Sequence, residues 1–246
     1  MGTLAVIPAR FGSTRLPGKP LVKINGVPLV ARVYRQVARC EKVDRVIVAT
    51  DDQTISDVAR AEGAEVIMTP GNLSSGGDRV AWVAERVDEA PIVLNVQVDD
   101  PLVGPDMIDP LIESLESAAE CSLAVLAKEI EDPAEVTDQN IVKMVFDGEM
   151  RALYFSRSAI PYPRNPGAVY YKHIGPYAYR RDLLLRFAGW EPTPLERTES
   201  LEMLRVLEKG FRIQCVKTAR DTIEIDTPED VARLERFLRK HGDDVQ

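Results

Sequence analysis

The sequence predicts an α/β fold: a mostly parallel sheet flanked by helices, with a smaller mixed α/β sub-region. Three observations predict it. Short β-rich runs alternate with amphipathic segments through the N-terminal half, one of those runs is almost continuously apolar, and the C-terminal half loses the regular alternation. Strands alternating with helices imply βαβ units and parallel pairing. In chain order, Leu4–Ile7, Arg45–Ala49, Glu65–Met68 and Ile92–Val96 read as strands. Arg32–Ala38, Gln53–Ala61 and Arg79–Val87 read as the helices between them. The run Ile92-Val93-Leu94-Asn95-Val96 has the character of a strand covered on both faces. This half is Rossmann-like. Further on, Ser122–Ala127, Ile141–Phe146, Leu153–Phe155, Ile213–Val216 and Ile223–Ile225 read as strands. Leu183–Ala188, Leu195–Lys209 and Pro228–Arg239 read as helices, and the proline-rich stretch Ile160–Tyr170 as an extended loop facing substrate or an interface. The expected organisation is one domain over 1–246, with a core of about 1–128 and 211–246 and a substrate or dimer sub-region of about 129–210.

Composition narrows the function. Of the 246 residues, 45% are hydrophobic and 28% charged, as in soluble globular proteins. Asp+Glu is 39 against 31 Lys+Arg, a net charge of −8, which argues against a nucleic-acid partner. No apolar run approaches the roughly 18 residues of a membrane span. Leu4–Ile7 follows no basic segment and ends at Pro8, unlike a signal peptide. Three dispersed cysteines, Cys40, Cys121 and Cys215, imply reduced thiols and a cytoplasmic location. With only His173 and His241 available, a histidine-rich metal site is not expected.

The chemistry concentrates where the first strand ends. Pro8-Ala9-Arg10-Phe11-Gly12-Ser13-Thr14-Arg15-Leu16-Pro17-Gly18-Lys19-Pro20 carries three cations, two hydroxyls and two glycines. Ligands of open parallel sheets sit beyond the carboxyl ends of the strands. Cations and backbone N–H groups neutralise phosphate oxygens, and glycine permits close approach, so the loop suits a polyphosphate. It is not a Walker A loop. Five residues separate Gly12 from Gly18 instead of four, and Pro20 stands where a metal-binding hydroxyl belongs. Asp99 follows the apolar strand almost immediately and so falls at the same sheet edge. A carboxylate near a polyphosphate suits Mg²⁺, which takes one or two carboxylates plus phosphate oxygens and water. Asp226 precedes the last helix. Thr227, Pro228 and Asp230 are explained as an N-cap, a first helical residue and a capping box, which leaves Asp226 free as a second ligand.

The opening loop resembles the signature of the 3-deoxy-manno-octulosonate (Kdo) cytidylyltransferase family, whose relatives include sialate-activating and other sugar nucleotidyltransferases. The resemblance continues through Val48-Ala49-Thr50-Asp51-Asp52, Asn95-Val96-Gln97, Ala152-Leu153-Tyr154-Phe155-Ser156-Arg157, Lys172-His173-Ile174-Gly175 and Asp226-Thr227-Pro228-Glu229-Asp230. It implies Mg²⁺-dependent transfer of CMP from CTP to the anomeric hydroxyl of Kdo or its 8-amino analogue, with release of pyrophosphate. It also implies a homodimer and a place in lipopolysaccharide biosynthesis. The residues implied are Lys19, Arg15 and Asp99 for catalysis, and Asp99 and Asp226 for the metal. Pro8, Ala9, Arg10, Ser13, Arg15, Lys19, Ser75, Gly76 and Gln97 are implied for the nucleotide, and Arg157, Arg164, His173, Tyr177 and Glu202 for the acidic sugar. Arginine recognises carboxylates through paired hydrogen bonds. Two alternatives stay open: another acceptor (a sialic-acid-like sugar or a sugar 1-phosphate), or a nucleotide-binding module without catalysis. Three positions depart from the family pattern. Gly77 replaces a threonine, Val98 a glycine, and Met203 a glutamine expected near the sugar.

Overall fold

A computed structural model of the chain describes residues 2–12, 15–73, 75–87 and 90–242. They fall into two compact units, Met1–Asp109 with Thr222–Gln246, and Pro110–Asp221. Among the described residues, no helix is long and apolar enough to cross a membrane.

The first unit runs β1 (Thr3–Ala9), a 3-10 turn (Lys19–Leu21), a small hairpin of β2 (Lys23–Ile24) and β3 (Val27–Pro28), α1 (Leu29–Val37), β4 (Arg45–Thr50), α2 (Gln53–Ala61), β5 (Glu65–Met68), α3 (Gly76–Arg86) and β6 (Ile92–Asn95). Its large strands lie in the order β6-β1-β4-β5, and every pairing is parallel. All seven residues of β1 are buried, as an apolar strand between two neighbours and two helical layers requires. The helices start on side-chain caps. Asp52 accepts from the Ile55 N–H, and Ser75 and Asp78 form a capping box at α3. α4 (Pro105–Ser117) then carries the chain into the second unit.

The second unit holds β7 (Cys121–Glu129), α5 (Pro133–Thr137), β8 (Lys143–Phe146), β9 (Ala152–Ser156), β10 (Tyr171–Arg180), α6 (Arg181–Ala188), α7 (Pro194–Glu199), α8 (Glu202–Glu208) and β11 (Arg212–Thr218). β7 pairs antiparallel with β10 and parallel with β11, while β8 joins β10 to β9. The sheet is therefore mixed, as expected. The unit is larger than the expected 129–210 because β11 ladders onto β7, and β7 onto β10, inside it. The chain returns to the first unit in α9 (Pro228–His241), which starts on the Thr227–Asp230 capping box.

Several expected elements change. Ile223–Ile225 is not a strand. It makes one backbone bond, Ile225 N–H to the Asp99 carbonyl (2.8 Å), and packs Ile223 and Ile225 against Ile24, Leu29 and Leu234. The helix expected over Leu195–Lys209 is two helices, broken at Ser200 with φ 56°. β10 and α4 were not anticipated. Gly175-Pro176 inside β10 is absorbed by a bulge between Ile174 and Tyr177, and Pro110 is accommodated within α4.

Candidate active site

The first unit assembles the site at the carboxyl ends of β1 and β6. Beyond Ala9, the Gly18 N–H donates to the Phe11 carbonyl at 3.2 Å. Gly18 has φ +66°, a conformation in which a side chain would be strained, and this turn drives Lys19 inward. Lys19 is only 8% exposed. Its Nζ donates to Asp99 Oδ2 at 2.7 Å and to Asp226 Oδ1 at 2.8 Å. The exposed Arg15 guanidinium reaches the other Asp226 oxygen at 2.9 Å. The two aspartates, 127 residues apart in sequence, are brought side by side by the Ile225–Asp99 backbone bond.

Eight of the expected residues line one cavity of about 320 Å³: Pro8, Arg10, Arg15, Lys19, Gly76, Gln97, Asp99 and Asp226. Two others have different places. Ala9 is fully buried at the end of β1 and does not line it. Ser75 spends its hydroxyl on the Asp78 N–H as the cap of α3. Ser13 lies outside the described residues.

Besides Pro20, next to Lys19 in the chain, three further residues line the cavity. Arg79, on α3, is buried and donates to Asp51 Oδ2 (3.0 Å) and to the Thr69 hydroxyl. No local pattern announces that pairing across 28 residues. Val98 also lines it, and Val98 is not among the non-glycine residues with positive φ, so the backbone here has no need of the family glycine. Glu224 is the third, and its signal was available: alternation along Ile223-Glu224-Ile225-Asp226 puts it on the face of Asp226. Although part of Glu224 meets solvent, desolvation of its carboxyl, reinforced by the negative fields of Asp99 and Asp226, raises its pKa above the ordinary value. For Lys19, burial works to lower the ammonium's pKa. The fields and hydrogen bonds of Asp99 and Asp226 outweigh burial, and the pKa is raised.

Gly76 comes flush against the Gln97 amide, which itself donates to Asn95 Oδ1 at 2.6 Å. A methyl at Gly76 would lie 3.2 Å from Gln97 Oε1 and 3.4 Å from Pro8 Cγ. Gly76→Ala is expected to raise the KM for nucleotide about tenfold, the scale of one misplaced methyl in a pocket. The melting temperature should be unchanged or higher, since alanine favours helix. Steady-state kinetics beside thermal denaturation check both.

The expected sugar-facing residues all belong to the second unit. Arg157 follows β9, and Arg164 is exposed in the proline-rich stretch. His173 Nε2 lies 3.1 Å from the Tyr177 hydroxyl, and its ring packs edge-on against Phe155. Glu202, exposed at the start of α8, exerts its field on Tyr179, whose ring neighbours Tyr177. Met203, in the position expected near the sugar, is buried, 4% exposed. Burial pushes the His173 pKa from 6.5 down to about 4, and the Leu126 backbone, outside good hydrogen-bond geometry with Nδ1, only partly offsets it. The ring is therefore neutral at physiological pH. A depressed folded-state pKa gives stability that is present above pH 6.5 and is lost as pH falls toward 4. Between pH 7.5 and pH 5 the wild type should lose about 2 kcal/mol through this group. His173→Gln should lack that component in urea titrations at the two pH values.

A parallel sheet with a cationic loop at its strand ends, facing two carboxylates that share a lysine, defines a nucleotidyltransferase. Comparison with known proteins narrows the class. The cytidylyltransferase family model matches residues 4–218. The 3-deoxy-manno-octulosonate cytidylyltransferase of Syntrophotalea carbinolica is 44% identical over 97% of this chain and 99% of its own length. That of Geobacter metallireducens is 46% identical over 96% and 99%. The chain belongs to the 3-deoxy-manno-octulosonate cytidylyltransferase family. Its structure superposes on a CMP:2-keto-3-deoxy-manno-octonic acid synthetase complexed with CTP with a TM-score of 0.93, at 38% identity over 98% of this chain and all of the other. The 4-diphosphocytidyl-2C-methyl-D-erythritol synthase of Anaerococcus prevotii, at 15% identity over 97% of this chain and 98% of its own, with a TM-score of 0.66, shares the fold.

Proposed function

We propose that the chain transfers CMP from CTP to the anomeric hydroxyl of Kdo, releasing pyrophosphate, with Mg²⁺ as cofactor and as a cytoplasmic homodimer. The observation that carries the reading is the Lys19 bridge between Asp99 and Asp226 inside a cavity rimmed by Arg10 and Arg15.

Both reactants are anionic, so the first task is neutralisation. Arg10 and Arg15 take the triphosphate oxygens, and Lys19 holds the charge that grows on the phosphoryl oxygens during in-line displacement. Asp99 and Asp226 suit magnesium by their donor chemistry: two hard carboxylates converging on one cationic centre. Bound there, the ion supplies Lewis-acid polarisation of phosphate and a lowered pKa for the attacking hydroxyl. Gln97 and the flush Gly76 form the wall for the nucleoside, and Val98 narrows the space beside Asp99. Arg157 and Arg164 take the sugar carboxylate. Neutral His173 with Tyr177 and Glu202 takes sugar hydroxyls, and no protein nucleophile is required. Exposed Leu153, Tyr162 and Val169 on the second unit support self-association, and three buried thiols, two of them with pKa values pushed up to about 12 by desolvation, support a reducing compartment.

The test is a pyrophosphate-release screen of each nucleoside triphosphate against Kdo, its 8-amino analogue, a sialic acid and a sugar 1-phosphate, with and without chelator. Release is expected with CTP plus a Kdo-type acceptor, lost with chelator and restored by magnesium. CTP binding without release, or preference for a sugar 1-phosphate, overturns the reading.

A further inference from the structure

Lys143 opens β8, and none of it is exposed. A buried ammonium is costly unless its donors are satisfied. Here all three are: Nζ donates to the carbonyls of Asp138, Ile141 and Arg157, each at 2.6 Å. The acceptors are backbone oxygens, so the charge is solvated by the chain itself and ties two separate segments, the 138–141 turn and the residue after β9.

The 138–141 turn and the end of α7 grip the Arg157 side chain. Its Nε donates to the Glu199 carbonyl and its Nη1 to the Gln139 carbonyl, both at 2.9 Å. The Glu199 carboxylate in turn accepts from the Arg157 N–H (3.0 Å) and the Ser156 hydroxyl (2.7 Å). Two of the three guanidinium nitrogens are thus fixed by carbonyls that Lys143 and Glu199 locate. Among the described residues, Nη2 is left without a hydrogen bond and open to an anion.

We propose that Lys143 is a positioning residue for the sugar acid: by clamping the Gln139 turn to the Arg157 backbone, its ammonium holds the remaining guanidinium nitrogen in place for the substrate's carboxylate. This rests on the reading of Arg157 as a sugar contact. A core position served only by packing would favour an apolar side chain of the same length. A charge whose every proton goes to a carbonyl specifies geometry instead, since each displaced acceptor would leave a donor unsatisfied.

The experiment compares Lys143→Met, Lys143→Gln (which keeps two donors), Arg157→Ala and Lys143→Met/Arg157→Ala, reading KM for Kdo, KM for CTP, kcat and melting temperature. Lys143→Met is expected to raise the KM for Kdo about ten- to a hundredfold, the scale on which misplaced positioning groups act. The KM for CTP and kcat should stay within about twofold on the same argument. Lys143→Gln should fall between, and Lys143→Met should add nothing in the Arg157→Ala background. If Lys143→Met does not fold, Lys143→Gln decides by the same readouts. A lowered melting temperature with an unchanged KM for Kdo overturns the proposal, as does an equal effect with and without Arg157. If Arg157→Ala itself leaves the KM for Kdo unchanged, the reading of Arg157 fails and the proposal with it. If Arg157→Ala raises it while both Lys143 variants do not, the proposal alone fails.

Discussion

Asp99→Asn should lower pyrophosphate release from CTP plus Kdo by about a thousandfold or more, corresponding to about 4 kcal/mol of lost transition-state stabilisation. The substitution keeps size and one acceptor oxygen but removes the charge. Lys19 retains Asp226 as an ionic partner at 2.8 Å, and the backbone bond from Ile225 to the Asp99 carbonyl does not involve the side chain. The fold should therefore survive, with a melting temperature within a few degrees of wild type. Asp226→Asn is the harsher change structurally, because both Arg15 and Lys19 lose an anion there. Initial rates over a magnesium titration, beside thermal denaturation, check the contrast. Near-normal magnesium-dependent turnover in Asp99→Asn would remove the metal assignment.

The parallel half of the fold was legible because burial there writes itself into the sequence. Strands covered on both faces are continuous apolar runs, and Thr227 marks a helix start by its capping chemistry. The cationic loop was legible from position alone, since it follows the first strand. The second unit was not, because its signals conflict locally. Gly175-Pro176 is a turn signal that β10 absorbs as a bulge, and the ladders on either side outweigh it. Lys143 sits in an apolar strand pattern that would normally expel a lysine, and only the fold supplies its three carbonyls. Ile223–Ile225 shows the limit from the other side. The alternation is real and sorts Glu224 and Asp226 to the cavity, yet no neighbouring strand pairs with it. Met203 is buried one residue after the exposed Glu202, a contrast that the start of a helix permits and that sequence alone does not announce.

Lys19→Met should cost about a hundredfold or more in kcat, the scale of deleting one preorganised donor to a developing charge, and it should also change how the protein responds to magnesium. In the wild type the two carboxylates already have a cation between them, at 2.7 and 2.8 Å. Its folded-state pKa is raised above 10.5, so its stabilising contribution is complete below pH 10.5 and is lost only as pH climbs through the raised value. Across the neutral range the ammonium is present and a metal ion must share the carboxylates with it. Methionine fills the same space without charge. Asp99 and Asp226 then face each other without a shared cation, with Arg15, largely exposed, as the remaining partner of Asp226. The unliganded variant should melt lower than wild type, and added magnesium should raise its melting temperature by more than it raises that of wild type, while calcium, larger and less exacting in geometry, restores stability without restoring rate. Thermal denaturation across a magnesium series separates the cases: an equal or smaller magnesium shift in Lys19→Met would mean that the ion does not lie between Asp99 and Asp226.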